Sequence, residues 1–207
     1  MELLGEPKIM APAPAHHNIE TSASLRVRNR FSGSPRPGVV MLRVQSRAAT
    51  RGVLQWGAIS LPCALGRGGI RAAKREGDGG TPRGRWRLRL VFYRADRGRR
   101  PHTMLPVKSL APHDGWCDAA ADRNYNRPVR HPYPASAEAM WRSDGLYDIV
   151  VVLDYNERPR VRGKGSAIFL HVARPGFLPT EGCVALRARD LRKLLALMGR
   201  EAHLIVP

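Results

Sequence analysis

The chain has 207 residues, 43% of them hydrophobic, which is enough for one domain with its own core and some length to spare. Lys and Arg number 35 against 17 Asp and Glu, and the resulting formal charge of +18 favours a polyanionic partner or surroundings. No apolar run approaches the about 20 residues that cross a bilayer, and the acids Glu2 and Glu6 with Pro7, Pro12 and Pro14 are unlike the basic start and apolar middle of a secretory signal.

In chain order, residues 1–37 are rich in Pro, Ala, Ser, Asn and Arg with no sustained apolar period, and are expected to form a flexible tail. The folded domain is expected over 38–207. Short β-like runs follow at 39–44, 53–65, 86–93, 147–155, 167–172 and 203–206, separated by Gly and Pro. Between the second and third lies a Gly-rich stretch, 74–84. It has no Gly-Lys-Ser/Thr ending, so it reads as a hairpin turn and not as a phosphate-binding loop. A short helix is expected over 135–141. The run Tyr147 to Leu153 is β-branched and apolar on both faces, as a strand covered above and below requires. A longer helix over 188–198 sets Leu191, Leu194, Leu195 and Met198 on one stripe, and Gly199 stops it. Many short strands, few helices and no βαβ alternation predict a mainly β, sandwich or barrel-like fold with one or two helices.

The stretch from Ile168 to Leu191 carries the chemistry. An apolar strand, Ile168-Phe169-Leu170, ends in His171. A loop with Arg174, Pro175, Gly176 and Pro179 follows, then Thr180-Glu181-Gly182-Cys183-Val184, and then the helix. A thiol needs a neighbouring base to ionise near neutral pH, and the twelve-residue step from His171 to Cys183 is long enough for a loop to turn back beside the strand end. Gly182 allows a turn that a side chain would obstruct, and the amides of Gly182 and Cys183 are candidate donors to an oxyanion. Cys63 and Cys117 form no C-x-x-C pair. They read as buried side chains, with a disulfide as the alternative. None of the other histidines shows metal or triad spacing, so no metal or cofactor is expected.

These residues resemble the catalytic signature of the L,D-transpeptidases, the YkuD-type domain, in which a strand-borne His precedes a Ser/Thr-His-Gly-Cys turn and a helix. The resemblance covers roughly 39–207 and includes the Gly-rich stretch from Lys74 to Gly84. It implies Cys183 as nucleophile, His171 as base, peptidoglycan stem peptides as donor and acceptor, and a site of action outside the cytoplasmic membrane, in the periplasm. Glu181 stands where most members have a second His, Ala185 where many have an Arg, and the His-to-Cys loop is shorter than usual. The chain is therefore similar to a divergent, compact proteobacterial branch.

The loop from Asp122 to Arg130 is dense in hydrogen-bonding side chains, as ligand-holding loops often are. Tyr125, Asn126 and Arg127 there, with Trp141, Arg174 and Thr180, are candidate substrate-binding residues, and a guanidinium fork suits a stem-peptide carboxylate. Two alternatives share these observations. One is L,D-carboxypeptidase trimming by the same site. The other is a non-enzymatic basic domain binding wall or nucleic acid, although the regularly spaced aromatics of a specific nucleic-acid platform are missing.

Overall fold

A computed structural model describes residues 38–207. The expected tail over 1–37 lies outside the described residues. The elements, in order, are β1 (Val39–Arg43), β2 (Arg51–Trp56), β3 (Ile59–Ala64), β4 (Ile70–Arg71), β5 (Thr81–Pro82), β6 (Gly84–Tyr93), β7 (Val107–Ser109), β8 (Asp114–Cys117), β9 (Arg127–Arg130), β10 (Ala137–Ala139), β11 (Ile149–Leu153), β12 (Phe169–Val172), β13 (Val184–Leu186), α1 (Ala188–Leu197) and β14 (His203–Val206).

Eight strands close into a barrel in the order β11-β12-β13-β3-β2-β1-β14-β6, with β6 pairing back onto β11. The length of β6 makes closure possible. Its first half pairs β14, with Arg87 opposite His203, and its second half pairs β11, with Tyr93 opposite Ile149. A separate three-stranded sheet, β10-β8-β9, lies outside this ring.

Alternation along β11 explains why every residue of that strand is buried. Ile149, Val151 and Leu153 join the main core with Leu42, Leu54, Leu88 and the α1 stripe of Leu191, Leu194, Leu195 and Met198. Val150 and Val152 point the other way, into a second cluster with Trp116, Met140, Tyr147 and Phe169. The same alternation sorts β12: Leu170 faces the main core and Phe169 the second, where the Trp116 ring meets it edge-on at 5.1 Å. The mainly β, barrel-like expectation holds.

Two elements differ from expectation. The run 53–65 belongs to two strands, β2 and β3, joined by a two-residue turn, Gly57-Ala58, in which Gly57 takes φ +58. The helix expected over 135–141 is absent. Its centre is β10, which pairs with β8 so that Ala137 faces Cys117, and this pairing overrides a weak local preference for helix. The longer helix appears as expected, with Met198 as its cap, donating its N–H to the Leu194 carbonyl at 3.1 Å.

Leu194 is 1% exposed and packs into the main core. Leu194→Ala is expected to lower unfolding free energy by about 2–5 kcal/mol, measured by urea denaturation.

Candidate active site

The parity that sorts the core also sets the site. In the parallel pair β12–β13, His171 lies opposite Ala185 and Leu170 opposite Val184. Leu170 and Val184 face the main core, so His171 and Ala185 take the other face, and Cys183, two residues before Ala185, shares it. Both side chains line one cavity of about 450 Å³, with Cys183 7% and His171 6% exposed.

Glycine backbone supports the Cys183 turn from behind. A Cβ on Gly66 would come within 2.9 Å of the Gly182 Cα and 2.2 Å of the Gly79 carbonyl oxygen, and a Cβ on Gly182, at φ +132, within 2.8 Å of the Gly80 oxygen. Three chain segments thus meet with no side chain between them. Asp78 shapes the Gly-rich segment by accepting from the Arg75 and Gly80 amides and from Lys74 Nζ, whose side chain is 4% exposed. Thr180 closes the turn from the other side. Its hydroxyl donates to the Cys183 carbonyl at 2.6 Å and accepts from the Gly182 N–H at 3.2 Å, so the Gly182 amide is engaged and is not a free oxyanion donor.

The imidazole tautomer follows from one contact. His171 Nδ1 lies 2.9 Å from the Val172 carbonyl, which only accepts, so Nδ1 carries the proton and Nε2 keeps its lone pair. Burial, with the charges of Arg142 and Arg174 adding to it, pushes the imidazole down to about 4 against the Val172 hydrogen bond. Burial likewise pushes the Cys183 thiol up to about 12, with the Glu138 charge adding and the Phe169 amide opposing. The resting pair is therefore neutral thiol and neutral imidazole. The thiol donates to the Ala167 carbonyl at 3.2 Å and accepts the Phe169 N–H at 3.3 Å.

The expected substrate residues divide. Arg174 and Thr180 line the cavity. Tyr125 and Asn126 are buried supports: the Tyr125 hydroxyl donates to Glu76 and accepts the Gly165 N–H, while Asn126 Oδ1 accepts from Trp116 Nε1 and the Ala167 amide. Arg127 lies outside the cavity, in a cleft with Arg123 and Arg160. Trp141 lies outside it too, under the Arg94 guanidinium at 3.5 Å. Their physical reason is strand geometry: β9 carries Arg127 on the far side of the outer sheet from the thiol.

Several lining residues had not been singled out. Tyr147 sets its ring edge-on to His171 at 5.4 Å and donates its hydroxyl to Glu138. Glu76 lines the cavity and accepts from Ser166 at 2.8 Å, and Asp118 and Glu138 line it as well. Glu76 lay inside the Gly-rich motif, between Arg75 and Gly77, where its carboxylate was a usable signal. Glu138 and Asp118 gave none, because only the outer sheet brings them here. No group of three or more His, Cys, Asp or Glu among the described residues could hold a metal ion.

A strand-borne His, a Gly-Cys turn and the following helix on a closed barrel agree with the sequence match, which runs over residues 45–205 to the YkuD family, the L,D-transpeptidase catalytic domain. The chain belongs to this family. Comparison with curated proteins and with solved structures gave no match. Two of the three departures from the family pattern have plain structural settings. Glu181 is exposed and pairs with Arg67 at 2.7 Å, and Ala185 is 1% exposed and pairs with His171 across β12–β13.

Because the folded imidazole titrates near 4 and the unfolded one near 6.5, the unfolded chain takes up a proton first as pH falls. This contribution to stability is complete above pH 6.5, declines below it, and is gone once pH passes 4, a loss of about 3 kcal/mol. His171→Gln should flatten that interval when denaturation is compared with the parent chain from pH 4 to 7.

Proposed function

We propose that the chain is a peptidoglycan L,D-transpeptidase that works through a Cys183 thioester with His171 as base. The single observation that carries this reading is that the thiol and a base-form imidazole share one cavity on one face of β12–β13. Substrate entry displaces the Ala167 contact, and Nε2 of His171 takes the thiol proton as sulfur attacks the carbonyl at an L-to-D junction. The tetrahedral intermediate collapses, the leaving amine takes the proton back from the imidazolium, and the acyl group stays on sulfur. An acceptor amine then attacks the thioester, with its excess proton passing to His171, and the released thiolate is reprotonated. Water in place of the amine gives carboxypeptidase trimming.

The cavity wall supports a stem peptide as substrate. Glu76, Asp118, Glu138 and Glu181 line it together with Arg142 and Arg174, and this mixture suits a ligand carrying ammonium and carboxylate groups together. Arg142 is forked onto Asp144, with Nε at 3.0 Å, whereas Arg174 donates to no acceptor among the described residues and is the guanidinium available to a carboxylate. The setting in which such substrates occur is the periplasmic cell wall, and no helix of the described residues is long and apolar enough to cross a membrane.

Purified protein incubated with disaccharide peptides should yield cross-linked dimers, or trimmed monomers, by mass spectrometry. Cys183→Ala should reduce product by at least about a thousandfold, and full activity in that variant removes the nucleophile assignment. Arg174→Ala is expected to raise KM about tenfold or more, with kcat much less affected, through loss of a charge-assisted pair.

A further inference from the structure

Away from the thiol, a second cleft of about 400 Å³ is lined by Arg123, Arg127, Arg158, Arg160 and Arg162, with only Asp122 and Glu157 as acids. Both acids are already engaged. Asp122 accepts from the Asn124 amide and the Tyr133 hydroxyl, and Glu157 pairs with Arg89 at 3.5 Å. Of the guanidiniums, Arg160 alone has a partner, a 3.3 Å bond from Nε to the Asn126 carbonyl, and the other four make no hydrogen bond or ion pair among the described residues. Like charges gathered so closely repel, and burial beside Arg127 and Arg158 lowers the Arg160 pKa accordingly. A multivalent anion relieves that repulsion, and guanidinium forks match phosphate oxygens two at a time. The net charge of the lining is +3, which a single stem-peptide carboxylate leaves mostly unmatched and a pyrophosphate-like group meets in the same volume.

The cleft adjoins a second cavity of about 380 Å³, with Glu157 and Arg160 lining both. There the walls are Leu90, Pro106, Trp116, Pro128 and Val152, with Arg89 and Lys108 at the rim. An apolar slot opening onto an arginine cluster matches a ligand with an apolar tail and an anionic head. Nucleic acid fits less well, since Trp116, Tyr125 and Tyr155 are 7%, 3% and 4% exposed and offer no open ring face for a base.

We propose that these adjoining cavities form one site for an anionic amphiphile, a pyrophosphate-class head held by the arginines and an apolar tail laid along the slot. The site is separate from the thiol cavity and shares no lining residue with it.

The test is titration of the full chain with inorganic pyrophosphate and with farnesyl pyrophosphate by calorimetry at physiological ionic strength. Saturable binding of both is expected, tighter for the farnesyl ester by at least about tenfold through tail burial. Arg127→Ala combined with Arg160→Ala should weaken both ligands about tenfold or more. Pro128→Asn should weaken the farnesyl ester alone, and Arg189→Ala with Lys193→Ala, on α1, neither. Arg158→Ala with Arg162→Ala, on an exposed segment, repeats the arginine test should the first pair disturb folding, as thermal melting reports. Absence of saturable binding, equal loss from the α1 control, or equal affinity for the two probes overturns the proposal. So does tighter binding of a single-stranded oligonucleotide that the same arginine substitutions abolish.

Discussion

The position of Cys183 rests on main chain packed against main chain. Gly66 at the end of β3, Gly79 and Gly80 in the Asp78-centred loop, and Gly182 before Cys183 approach so closely that a single methyl group on Gly66 or Gly182 collides with backbone. Side-chain contacts yield by rotating, but a glycine seam does not, so the sulfur's place is set by the barrel strands on which the three segments hang. Lys74 and Asp78 carry their ion pair almost out of solvent to brace this seam. Removing Asp78 leaves the buried Lys74 ammonium without its counter-charge.

The second constraint is dryness. Cys183 and His171 share the packed face that holds Phe169, Tyr147 and Trp116, and burial shifts both groups toward their uncharged forms. Cys183 and His171 therefore form no standing thiolate–imidazolium pair. The Phe169 amide is aimed at the sulfur and opposes the rise that burial causes in the thiol pKa. The small side chain of Ala185 opposite His171 keeps a further cation from this face.

Much of the fold was legible because it follows from periodicity. The unbroken apolar run of β11 required cover on both sides, and the three- and four-residue spacing of Leu191, Leu194, Leu195 and Met198 required one buried stripe. Where local preference and pairing disagreed, at 135–141, pairing with β8 prevailed. In the site, His171, Gly182, Cys183 and Thr180 were readable since they lie within one short stretch of chain. Arg127 and Trp141 were chosen for their chemistry alone and lie elsewhere, whereas Glu138 and Tyr147 reach the cavity only through long-range strand pairing. Asn126, expected at the substrate, instead uses all its polar atoms to tie the outer sheet to the loop before β12.

A sulfur kept protonated and nearly out of solvent has a chemical fate different from that of an exposed thiolate. Peroxide attacks the anion, so the first rung of oxidation, sulfenic acid, is reached slowly from a thiol whose proton is held by the Ala167 carbonyl. Cys63 and Cys117 are free and buried, which leaves no neighbouring sulfur exposed to capture it as a mixed bridge. Burial and the Ala167 contact thus keep the Cys183 sulfur in its less oxidisable, protonated form.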